Sequence, residues 1–212
     1  MNPTPAVSIS FFIKWKNICF LILLFKNNLL LYIQAMRKGY GVYKVKDWFA
    51  VPNNIMVHSI TGGYCWTVKS AVRLLKGIMK TPLFLSNVYC IENPFDTLII
   101  IDGHQRLLTV FLLAKLYGIY GDILKEYGCG NVSITCGNSK DTQAFLDILN
   151  DNIYDKDCCL GRVYEALKHI VERDPNKSTT IKNLQESFLH YLILPQEYYD
   201  DLTLFFKRMD TV

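Results

Sequence analysis

Leu98-Ile99-Ile100-Ile101-Asp102-Gly103-His104-Gln105-Arg106-Leu107-Leu108-Thr109-Val110-Phe111-Leu112-Leu113-Ala114-Lys115-Leu116 decides the fold. The run Leu98–Ile101 suits a strand covered on both faces. The residues from 104 onward suit a helix that is apolar almost all round. Between them, Asp102 fits an N-cap, and Gln105 three residues later completes a capping-box pattern. Gly103 permits either a tight turn or the close approach of a ligand. At about 100° per residue, Gln105, Arg106 and Thr109 share one arc of roughly 100°. An arginine in the first turn opposes the positive end of the helix dipole. An anion held there by free N–H groups and Arg106 relieves that conflict. A capping box with Arg106 paired to a structural carboxylate is the alternative, and the residues alone leave the two level.

Outward from this stretch, composition sets bounds. The chain has 212 residues, half of them apolar, which is enough for a sizeable core. Its net charge is +4, but residues 1–35 carry Lys14, Lys16 and Lys26 with no acid. The remaining 177 residues therefore hold +1 of that total. Bulk charge gives no nucleic-acid footprint, although a local basic patch is compatible with it. Seven cysteines include the adjacent pair Cys158-Cys159 and no Cys-x-x-C. That pattern reads as free thiols in a reducing cytoplasm, with no metal ligands.

Residues 1–35 form an apolar extension interrupted by Lys26-Asn27-Asn28. They read as an over-extended start before Met36, as a membrane or targeting segment, or as a core helix. Residues 36–125 read as a small α/β unit. It begins with a strand over Tyr40–Val45 and a helix start at Asp47-Trp48-Phe49, followed by turn-rich residues 53–63. The spacing of Val68, Val72, Leu75 and Met79 predicts a helix capped near Thr67, with Lys69, Arg73, Lys76 and Lys80 on its other face. A strand follows over Leu83–Ile91. Residues 126–140 read as a loop or hairpin. Helices are then predicted over 141–149, 160–171, 181–192 and 196–209, making residues 126–212 a helical region. The fold class expected is α+β, a small mixed-sheet unit followed by a helical segment.

A strand, then Asp-Gly-x-Gln-Arg, then a Leu-rich helix resembles the Asp-Gly-Gln-Gln-Arg signature of the N-terminal domain of GmrSD-type, modification-dependent restriction proteins. That family has a fold related to ParB and sulfiredoxin. Here the motif is Asp102-Gly103-His104-Gln105-Arg106, with histidine at a position usually held by glutamine. Tyr64-Cys65-Trp66 matches the end of the family's Gln-Arg-x-Tyr-x-Trp segment, and Lys69–Lys80 matches the helix after it. Phe84-Leu85-Ser86-Asn87-Val88 is similar to its Phe-Leu-Gly-Ser-Ile strand. Leu204 to Thr211 looks like the approach to its Asn-Thr-Arg-Gly motif, where this chain stops.

The resemblance implies nucleoside-triphosphate hydrolysis with Mg2+, coupled to DNA restriction by a separate nuclease domain or subunit. No membrane partner is implied. Arg106, Gly103 and Gln105 would hold phosphate or base. Asp102 would cap the helix or orient a water or metal ion, and His104 would act as general base. Tyr64 and Trp66 would stack on a base. Each has a plainer alternative: capping for Gln105, a polar loop contact for His104, core packing for the aromatics. Thr61-Gly62 replaces the family's Gln-Arg of the nucleotide site. The function expected is therefore a restriction-type, ParB-like domain of ancestral nucleotide hydrolysis. A non-catalytic nucleotide- or DNA-binding module and an inactive fragment are the alternatives.

Overall fold

The computed structural model describes residues 41–49, 54–57, 63–93, 97–129, 134–136, 139–195, 198 and 201. The readings of residues 1–35 and Met36, of Thr61-Gly62, of most of 196–209 and of Leu204–Thr211 lie outside the described residues. The fold is α+β, with helices packed on a mixed six-stranded sheet. Among the described residues no helix is long and apolar enough to cross a membrane.

In chain order the elements are strand β1 (Gly41–Lys44), the short helix α1 (Val45–Phe49), β2 (Asn54–Val57) and α2 (Val68–Ile78). Then come β3 (Phe84–Asn93), β4 (Thr97–Asp102), α3 (His104–Leu116) and α4 (Gly121–Gly128). The chain continues with β5 (Ile134–Cys136), α5 (Ser139–Leu149), α6 (Cys159–Glu172), α7 (Lys177–Glu186) and β6 (Phe188–Ile193). The sheet order is β1-β6-β3-β4-β2-β5. β4 runs antiparallel to β3 and parallel to β2, and β6 lies parallel to β3 and antiparallel to β1.

β4 is covered on both faces, as its unbroken apolar run requires. Leu98 and Ile100 join the main core, with Ile55, Val57, Val88, Cys90 and the helices. Ile99 and Ile101 turn the other way and pack with Ile91 against Met56, Tyr89, Leu194 and Tyr198. α3 is the centre of the main core: every residue from Leu107 to Ala114 is buried. Phe111 sits among four aromatic rings, with centroids 5.9 Å from Trp48, 4.8 Å from Phe49, 5.2 Å from Tyr127 and 5.9 Å from Phe145. Most of these contacts are edge-on or tilted, the arrangement ring quadrupoles favour.

Thr67 caps α2 as expected, its hydroxyl accepting from the Ser70 N–H at 3.2 Å. Three short strands differ from the expectation. β2 lies inside the stretch read as turn-rich, and β5 inside the stretch read as a loop or hairpin; both are parallel strands. The helix expected over 181–192 ends at Glu186. Ser187 is extended and buried, its hydroxyl donates to the Asn183 carbonyl at 2.7 Å and accepts from the Leu83 N–H at 3.0 Å. The Phe188 N–H then bonds the Leu83 carbonyl, and the chain enters the sheet as β6. Sheet pairing on both sides outweighs the helical spacing of Phe188, Tyr191 and Leu192. The sheet thus takes strands from both sides of the division placed at residue 125.

Candidate anion-binding site

The site forms where β4 ends and α3 begins. Gly103 makes the junction with φ +88°, in the left-handed region. A Cβ there would lie 2.5 Å from the Asn87 carbonyl oxygen and 3.1 Å from the Val88 Cα. The glycine is therefore required both by backbone conformation and by the close approach of β3.

The expected capping box is absent. The N-cap of α3 is Gly103 and no side chain caps it. Asp102 instead accepts from the Gly103 N–H through Oδ1 at 2.6 Å, one residue too early to cap. Gln105 turns away toward residues 63–66. Its Oε1 accepts from the Cys65 N–H at 3.0 Å and the Trp66 N–H at 3.2 Å. These two donors fix the amide orientation, so Nε2 donates to the Gly63 carbonyl at 3.1 Å. Gln105 thus ties a loop to the helix, a role that neither phosphate binding nor capping anticipated.

Tyr64 and Thr109 reinforce that tie. The Thr109 hydroxyl donates to the Gln105 carbonyl one turn back at 2.8 Å and accepts from the Tyr64 hydroxyl at 2.7 Å. Tyr64 is 3 % exposed, and burial pushes its phenol well above the ordinary tyrosine value, keeping it neutral. A ring so enclosed cannot stack on a base, so the stacking reading of Tyr64 is corrected to core packing. Trp66 is half-buried against the same core. Its carbonyl faces the Cys159 thiol at 3.6 Å. Thr109 was visible in the sequence as part of the polar edge of the helix. The Gly63 carbonyl and Cys65 N–H carried no signal, because backbone groups have no sequence identity.

His104 is 5 % exposed. Its Nε2 lies 2.7 Å from the Gln105 amide nitrogen, and its Nδ1 is buried without a partner in either tautomer. Burial lowers its pKa below the ordinary histidine value, against the opposing pull of Asp102 and the Gly63 carbonyl. The ring is placed as a buried neutral group, not as a base open to solvent.

Arg106, like Asp102, is exposed. Its Nη1 donates to the Leu85 carbonyl at 2.5 Å, which fixes the guanidinium at the mouth of the β4–α3 junction. None of the N–H groups of His104, Gln105 and Arg106 finds an acceptor among the described residues. The cavity between Leu85, Gly103, Arg106 and Leu189 is only about 10 Å³, room for one water. An anion at this place therefore sits on the surface over Arg106, outside the fold.

The donor set does not fit Mg2+. That ion takes one or two carboxylates and several waters beside substrate phosphates. Asp102 is the only carboxylate in the motif, and it already accepts from Gly103. No group of three or more potential ligands assembles among the described residues. The chain matches no protein-family model and no curated protein.

Proposed function

We propose that this chain is a restriction-type, ParB-like module that binds the phosphates of a nucleotide without cleaving them. The uncapped start of α3 beside an exposed, positioned Arg106 carries this reading. A long buried helix presents free N–H groups and a partial positive charge at that end. A cation added to the same end is unfavourable until an anion joins it. The other motif residues argue against chemistry at the site. Gln105, Tyr64 and Thr109 are engaged with one another and with the 63–66 backbone, and His104 is buried. The restriction role and the partnering nuclease rest on the ordered resemblance of the motifs alone.

The test is calorimetric titration and thermal shift of the full chain with ATP, GTP and UTP, alongside a phosphate-release assay. Binding without release, lost in Arg106→Ala, is the expected result. No shift at millimolar nucleotide refutes the proposal. Phosphate release that disappears in Arg106→Ala replaces it with a hydrolase.

A further inference from the structure

We infer that the outer face of α2 is a track for the phosphodiester backbone of a nucleic acid. It is a second site, separate from the Arg106 junction, and it does not depend on the nucleotide reading. At about 100° per residue, Ala71, Leu75 and Ile78 cluster on one side of the helix, where all three are buried. Lys69, Arg73, Lys76 and Lys80 fall within about 60° of one another on the opposite side. All four are exposed. Lys69 to Lys76 advance over about 10 Å of helix axis, and Lys80 extends the row in the closing turn. Together with Val72 and Gly77 they line a surface groove of about 460 Å³.

This row violates a local rule without local compensation. Lys69–Arg73 and Lys76–Lys80 are like-charge pairs four residues apart, and Arg73–Lys76 are three apart. Such neighbours repel, each pair by a few tenths of a kcal/mol. No acid relieves them: the sequence holds no Asp or Glu from residue 48 to residue 91. None of the four cations makes an ion pair with another described residue. Other exposed lysines, such as Lys125 and Lys182, also stand without an ion pair among the described residues, but only on α2 do four cations share one face with no acid among them. A row of like charges held against its own repulsion is a local rule broken, and such breaks occur at functional sites.

The geometry selects the occupant. A membrane surface would need apolar or aromatic anchors beside the cations. On α2 only Val68, at its start, is both apolar and exposed, and the exposed ring pair Phe84–Phe188 at the starts of β3 and β6 does not line the groove. Four charges in line match a linear polyanion whose charges also repeat in line. Phosphodiester backbones supply that in single-stranded and duplex form, and neutralising their charge releases counterions.

The experiment measures binding of the full chain to fluorescent 20-nucleotide oligomers, single-stranded and duplex, across a salt series. If four phosphates are neutralised on a single strand, the log–log salt slope is about −3. Lys69→Gln/Arg73→Gln and Lys76→Gln/Lys80→Gln should each weaken binding about tenfold or more and flatten the slope by about 1 to 2. Lys125→Gln/Lys182→Gln, on other exposed surfaces, should leave it unchanged. The α2 variants should melt no lower than the native chain, because repulsion is relieved, and should keep any stabilisation by mononucleotide. A strand preference between the two oligomer arms names the source of the backbone. Absence of binding at low salt, equal loss in the Lys125/Lys182 control, or binding to anionic-lipid vesicles in place of oligomers each overturns the inference.

Discussion

Truncation of Gln105 to alanine tests the architecture of the site directly. The side chain accepts from two backbone N–H groups and donates to one backbone carbonyl. A net hydrogen bond contributes about 1 kcal/mol, and a buried group left unpaired costs more. Cys65 is exposed, so water replaces the acceptor at its N–H. The bonds to Trp66 and Gly63 are half-buried and are not so easily replaced. The expected loss is therefore about 2 kcal/mol, which lowers Tm by about 4–8 °C in a chain of this size. Amide hydrogen exchange places the effect: protection at Cys65 and Trp66 should fall before that of α3. Gln105→Glu keeps the acceptor and loses the donor. It should restore protection at Cys65 and Trp66 while leaving a carboxylate against the Gly63 carbonyl, with a Tm between the other two. A Tm within 2 °C of the native chain, with both amides unaltered, would falsify the tie between helix and loop.

Gly103→Ala forces a side chain into left-handed backbone and against the Asn87 carbonyl. A loss of about 3 kcal/mol in a urea titration is expected, and a loss under about 1 kcal/mol contradicts the close packing of β3 on the junction. His104 has a folded pKa below its unfolded value of about 6.5, so folding stability is intact above that pH and declines as pH falls toward the folded value. His104→Gln removes the titrating group and should flatten the Tm profile below about pH 6.5; an unchanged profile excludes His104 as the cause. Asp174 is buried, which raises its pKa, but hydrogen bonds from Thr180, the Asn176 N–H and Tyr117 prevail and hold it below the usual aspartate value. Its stabilisation is present above the unfolded pKa of about 3.9 and lost as pH falls through the folded value. Asp174→Asn should lower Tm at neutral pH, and its deficit should shrink below about pH 4; a deficit constant with pH assigns the contribution to hydrogen bonds alone.

What the sequence made legible follows periodicity and contact range. β3, β4, α2 and α3 stand close to where apolar spacing put them, because each buries a face over many residues. β4 was readable as doubly covered from four apolar residues in line. β2 and β5 have four and three residues, too few for any period to declare itself. β6 was hidden by ambiguity: Leu189 and Tyr191 alternate inward as in a strand, yet the neighbouring apolar residues also fit a helical turn. Only partners more than a hundred residues away resolve it. At the site, the sequence marked the β4–α3 junction, and Arg106 is exposed there at the start of the helix. The sequence offered Gln105 a cap or a phosphate to hold, because both patterns are local. The true partners, the backbone of residues 63–66, lie some forty residues upstream.

β6 lies between β1 and β3, so the strand that joins β1 to the rest of the sheet is the last of the described strands to be made. A ribosome adds about 5–20 residues per second. Lys44 therefore emerges roughly 7–30 s before Phe188, the residue it pairs with. During that interval β1 and the β6-facing side of β3 lack the strand they share, and unpaired strand edges invite association with other chains. The order of synthesis runs against the order of the sheet. For this protein the hazard of misassembly lies in that wait, and shielding those two edges until β6 is made would remove it.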